Sequence, residues 1–160
     1  MEPQMFVKWI HVLSSTILFG TGLGAAFFML MANRTRDPKV IASVAGIAIT
    51  TNLVFTLTAG VVQPATGFTL MAMQELGLAP WIQAALSLFI LVGACWVPVV
   101  LIQLRMKRLA EEAVSSNLGL APEYDRLFRI WFILGCVVFV ALIGIFYLML
   151  AQPALWSHAG

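Results

Sequence analysis

The sequence predicts an all-α membrane protein, a four-transmembrane-helix bundle with both termini outside and two cytoplasmic loops. Of its 160 residues, 61% are hydrophobic and 10% charged, against roughly 45–50% and roughly 25% in a soluble domain. The mean hydropathy is +0.97. Four apolar runs, residues 6–32, 40–73, 81–104 and 127–150, each suffice to cross a hydrocarbon layer about 30 Å thick as a helix rising about 1.5 Å per residue. The basic residues gather in two of the three connections. All 160 residues then form one transmembrane domain.

A buried soluble helix imitates one such run, but not four in succession, and lipid admits only helices or closed barrels because every backbone group must pair. The first run continues too far, and lacks the basic stretch and small-residue site of a cleavable leader, so it is expected to stay as a span. The second opens at Asp37-Pro38, an N-cap followed by a proline at the first helical position, where no amide partner is lost. Within it Pro64 removes a helical hydrogen bond, which predicts a kink and a freed carbonyl at Gly60. The third span begins near Gln83, carries Pro98, and is expected to run past the membrane from Arg105 to Val114 with its charges in water. Gly119 and Pro122 separate it from the fourth.

Nine Lys and Arg against seven Asp and Glu give a net charge of +2, so placement matters more than the sum. Arg34, Arg36 and Lys39 lie between the first two runs, and Arg105, Lys107, Arg108, Arg126 and Arg129 between the last two. The middle connection has only Glu75. Positive charge stays cytoplasmic, so both basic connections face inward and the N-terminus lies outside, in the periplasm of a Gram-negative cell. The lipid bilayer is the expected partner. A homo-oligomer or larger membrane complex is open to a bundle of this size, whereas nucleic acid is excluded by the lack of a basic face with aromatics in reach.

This topology sorts the intramembrane polar groups by depth. Lys8, His11, Gln63, Thr66, Thr69, Gln83, Tyr147 and Gln152 collect toward the outer leaflet; Thr50, Thr51 and Asn52 fall nearer the middle. An ionisable group inside a span faces the bundle and pairs with something. His11 therefore either bonds Gln63 or Tyr147 to hold helices together, or binds a metal or haem iron through a neutral imidazole. Lys8, three positions earlier on the same helix face, can snorkel outward or meet an anion. The eight methionines offer thioether ligands, with Met71, Met73 and above all Met149 on the outer side. His158 is a poor second ligand, close to the chain end.

Gly20, Gly22 and Gly24 follow no strand, so a phosphate loop is excluded. The Gly20–Gly24 spacing suits close helix approach, or room for a flat cofactor. Cys95 and Cys136 lack a redox or zinc spacing and read as buried or lipid-facing residues. No intramembrane carboxylate pair or Ser-His-Asp relay is available, so any catalysis falls to a bound cofactor.

Lys8-Trp9-Ile10-His11, the glycines after it, Gln63-Pro64-Ala65-Thr66-Gly67, Trp96-Val97-Pro98-Val99-Val100 and Trp131-Phe132-Ile133-Leu134-Gly135 together resemble the family called domain of unknown function 2269. That resemblance runs from about Lys8 to Pro153 and implies a small bacterial integral membrane protein, hence the bacterial inner membrane. The K-x-x-H opening and glycine-containing helix are also similar to the first helix of HemJ-type protoporphyrinogen oxidases and, more loosely, to CopD-like copper-resistance membrane proteins. The HemJ likeness implies a haem b ligand at His11 with Lys8 in support. Where the HemJ-type helix carries a tryptophan and ends in a further histidine, this chain has Phe19 and then Ala32-Asn33-Arg34.

The expected function is therefore binding of a redox cofactor near the outer leaflet, for electron transfer or cofactor-assisted oxidation. Haem b, with a quinone or copper as alternatives, would be held by His11, Lys8, Gln63, Thr66 and Tyr147, with His11 and Met149 as metal ligands. The alternative is a non-enzymatic membrane subunit or small copper transporter whose polar cluster is structural.

Overall fold

The computed structural model describes residues 2–153 and 155; His158 lies outside them. Four long helices make up the fold: α1 (Pro3–Thr35), α2 (Pro38–Met73), α3 (Pro80–Ser116) and α4 (Pro122–Ala151), all long and apolar enough to cross a membrane. Among the described residues there is no strand. Local chemistry sets the ends. Asp37 caps α2 by accepting the Lys39 amide at 2.8 Å, with Pro38 at the first helical position. α1 and α3 stop at residues in the left-handed region, Arg36 (φ 55°) and Asn117 (φ 54°). α3 runs on past the apolar segment to Ser116, as its charged tail predicts.

Neighbours along the chain are neighbours in space. α1 packs on α2, the first half of α2 on α3, and α3 on α4, while α4 and α1 meet only sparsely. At the end carrying the basic connections, Met29, Ala32, Ile41, Ala45, Met106, Ala110, Tyr124 and Trp131 form a closed core. Arg36 clasps Asp125 with two hydrogen bonds, at 2.6 and 3.2 Å, and Arg105 clasps Glu123 with two at 2.9 Å. A second cluster, Leu18, Ala59, Val92, Ala141 and Leu142, joins all four helices nearer the middle.

The departure from α-helical pairing in α2 lies before Pro64. The helix continues through Pro64 from Leu57 to Met73, and the disturbance is a π turn over Asn52–Thr56, whose closing bond runs from the Leu57 amide to the Asn52 carbonyl. A π turn inserts a residue and re-aims the helix. It marks the point where α2 passes from packing mainly on α3 to packing mainly on α1.

The glycine expectation also needs correction. A Cβ at Gly20, Gly22 or Gly24 would meet nothing within 4 Å, so this stripe mediates no close approach. Tight contacts occur instead at Gly67, against His11, and at Gly144, against Leu88, where added Cβ atoms would lie 3.3 and 3.2 Å from the facing side chains. Ala45 and Ala110 are fully buried at the α2–α3 contact. Ala45→Leu or Ala110→Leu is expected to destabilise the bundle by about 1–3 kcal/mol through overpacking, read as a lower midpoint in detergent unfolding, whereas Gly20→Ala leaves the midpoint unchanged.

Candidate functional site

Two sites emerge: a polar cluster at the terminal end and a cavity toward the basic end. The cluster is built by α1 facing the second half of α2. Thr66 donates its single hydroxyl proton to the backbone, with the Val62 carbonyl at 2.8 Å and the Gln63 carbonyl at 3.1 Å. Its oxygen is then an acceptor for His11 Nδ1 at 2.8 Å, which assigns the Nδ1–H tautomer of a neutral imidazole. His11 Nε2 accepts from Gln63 Nε2 at 3.1 Å. Gln63 Oε1 in turn accepts a hydrogen bond from Ser14, which is buried and also lies 3.0 Å from the His11 carbonyl. Every side-chain donor and acceptor along this chain has a direction that agrees with the next.

Of the residues expected here, His11, Gln63 and Thr66 are brought together. Lys8 is exposed, Tyr147 is 63% exposed and Met149 is 38% exposed on α4, whereas His11 faces α2. Ser14 and Gly67 are members that sequence reasoning missed. Ser14 was visible as His11 plus three, one turn along the same helix face. Gly67 supplies the close floor on which the ring rests.

In this arrangement both ring nitrogens of His11 are engaged, so ligation of haem iron at Nε2 would require Gln63 to withdraw. No group of three or more His, Cys, Asp or Glu residues is placed to hold a metal among the described residues.

The cavity occupies about 630 Å³ between the helices. Its wall on α1 runs from Leu18 to Leu30, on α3 from Phe89 to Gln103 and on α4 from Trp131 to Leu142; α2 contributes Asn52, Thr56 and Gly60. It thus reaches from the bundle's middle toward its basic end, away from His11. Gly22, Gly93 and Gly135 line it, and a Cβ on any of them meets open space. Gly60, whose carbonyl gets no hydrogen from Pro64, lines it too. Its polar groups are few. Asn52 donates to Gln103 Oε1 at 2.8 Å, both residues being buried, which leaves Asn52 Oδ1 and Gln103 Nε2 for a further partner. The indole nitrogens of Trp96 and Trp131, on two lining residues, are buried without a hydrogen-bond partner.

The family description "Predicted integral membrane protein (DUF2269)" matches residues 5–153. The chain belongs to the DUF2269 family. Neither a curated protein sequence nor a solved structure matches it. In this DUF2269 protein the motifs that suggested the family fall on both sites: Gln63 and Thr66 in the polar cluster, Trp96, Trp131 and Gly135 on the cavity wall.

His11→Ala removes two hydrogen bonds between helices, each worth about 0.6 kcal/mol on average and at most about 1.7 in membrane bundles. It is expected to lower unfolding stability by roughly 1–2 kcal/mol, while Lys8→Ala and Tyr147→Phe stay within about 0.5 kcal/mol. Unfolding of the three variants in mixed micelles tests this. A Tyr147→Phe loss matching that of His11→Ala would contradict the assignment.

Proposed function

We propose that this protein is a non-enzymatic membrane binding protein, a carrier or a subunit, that takes a lipophilic ligand in its cavity. The observation that supports this reading is a space of about 630 Å³ held open among four helices whose basic ends are closely packed. Interiors are close-packed wherever side chains are free to fill them, yet three glycines stand where side chains would fill this one. Aromatic and aliphatic walls with a small number of placed polar groups are the usual make-up of a small-molecule site. Asn52 and Gln103 supply an acceptor and a donor, suited to a ligand with an oxygen-bearing end; a quinone is one member of that class.

By the positive-inside rule the basic end faces the cytoplasm of a bacterial inner membrane and both termini lie outside. The cavity then occupies the cytoplasmic half of the bilayer. The His11 cluster occupies the outer half, as a polar fastening between α1 and α2. Haem b or copper at His11 rests on an imidazole within a span, on the methionine thioethers and on the likeness of the first helix.

Solvent extraction of the protein purified in a neutral detergent, followed by mass analysis, is expected to release a stoichiometric lipophile. Gly93→Leu, which fills open space, should release severalfold less at unchanged helical content. Equal release from both overturns the proposal. A reduced-minus-oxidised spectrum with haem bands that vanish in His11→Ala would replace it with the redox reading.

A further inference from the structure

The seam between α4 and α1 is pinned at two levels and open between them. Toward the middle, Phe19 of α1 stacks on Phe139 at 5.4 Å and meets Phe146 edge-on at 5.5 Å. At the basic end the Arg36–Asp125 pair bridges the two helices. From Phe19 to Arg36 the helix rises roughly 25 Å, at about 1.5 Å per residue. Along that interval the cavity-lining residues Leu23, Phe27, Phe132 and Cys136 are exposed on the outside of the bundle. The cavity therefore opens sideways, into the bilayer.

The lips of this opening carry positive charge. Arg34 follows Leu30 by four positions and Phe27 by seven; Arg129 precedes Phe132 by three and Cys136 by seven. Residues at these spacings share a helix face, so each arginine continues the face that lines the opening. Both are exposed, and among the described residues neither has an ion-pair partner. The acid nearest in sequence to Arg129, Asp125, already gives both carboxylate oxygens to Arg36. An apolar trough with two unpaired guanidinium groups at its polar end is complementary to an anionic amphiphile, because arginine forks match phosphate oxygens and basic pockets between spans attract anionic headgroups.

We propose that the α4–α1 seam binds one phospholipid of net negative headgroup charge, its acyl chain lying in the cavity and its headgroup held by Arg34 and Arg129. The inference rests on the cavity reading above and names its ligand. Entry is lateral from the basic-side leaflet, past Phe27 and Phe132, and needs no opening to water.

The test is native mass spectrometry of the full chain in neutral detergent, titrated with phosphatidylglycerol or phosphatidylcholine of identical acyl chains. The wild type is expected to retain the anionic lipid with a roughly tenfold preference, the scale set by two arginines beside one anionic headgroup. Arg34→Gln with Arg129→Gln brings the two lipids to equal retention, whereas Lys39→Gln with Arg108→Gln, exposed cations on α2 and α3, keeps the preference. Gly135→Leu reduces retention of both lipids. No preference in the wild type, or equal loss with the Lys39 and Arg108 pair, overturns the headgroup assignment. If Gly135→Leu still empties the seam in that case, the cavity reading stands. If Gly135→Leu changes nothing while Gly135→Ala and wild type bind alike, the cavity reading itself falls. A dimer that excludes lipid, insensitive to the arginine changes, would show a second copy in the seam and overturn the proposal.

Discussion

In hydrocarbon a polar side chain has no water to fall back on, and the placement of α2's polar groups governs this bundle. Its Asn52 bonds Gln103 of α3; its Gln63 and Thr66, three turns later, bond Ser14 and His11 of α1. One helix thus has to satisfy two partners on different sides. The π turn over Asn52–Thr56 lies between the two sets and re-aims the helix from one to the other. An unbroken α-helix would keep a single stripe facing a single seam. The extra residue lets the polar groups of one helix pair on both sides.

The cavity follows from the same change of partner. Beyond the π turn α2 packs mainly on α1, and α1 goes with α2 rather than with α4. The side chains of Leu18, Ala59, Val92, Ala141 and Leu142, with partly buried neighbours, join the helices across the interior there. In water such a gap would collapse, because apolar surface would be driven together. In lipid that drive is missing. The gap persists at little cost provided an acyl chain or similar molecule fills it, so a site of this kind suits a membrane bundle better than a soluble one.

Much of the architecture could be read before any coordinates. The four spans, the Asp37-Pro38 cap, the Gly119–Pro122 break and the extension of α3 beyond Arg105 all depend on local composition and periodicity, which the chain displays directly. His11 with Gln63 and Thr66 was also legible, because rare polar residues at matching depth in antiparallel neighbours tend to meet. What escaped was long-range. Nothing local distinguishes Gln103 as the partner of Asn52, or tells that Gly22, Gly93 and Gly135 face one space on three helices while Gly67 faces a ring. The same residue type serves close approach and emptiness, and only the position of the neighbouring helix decides between them. Tyr147 is not brought to His11 for the same reason: it is exposed, on a helix that barely touches α1.

The two sites are mechanically connected through α1. His11 and Ser14 fasten one half of that helix to α2, and Thr21 continues the contact with Thr56 at 3.2 Å. Its opposite edge, carrying Leu23, Phe27 and Arg34, forms one lip of the lateral opening. Fixing the first edge fixes the second, because a helix is stiff over three turns. The satisfied imidazole is then explained without a cofactor: a histidine whose two nitrogens point to different residues of one neighbouring helix holds α1 against rotation about its axis, which a single bond cannot do. Rotation by one residue, about 100°, would carry Phe19 off Phe139 and displace Arg34 from the seam. On this argument the histidine of the first span sets the width of an apolar opening more than three turns away.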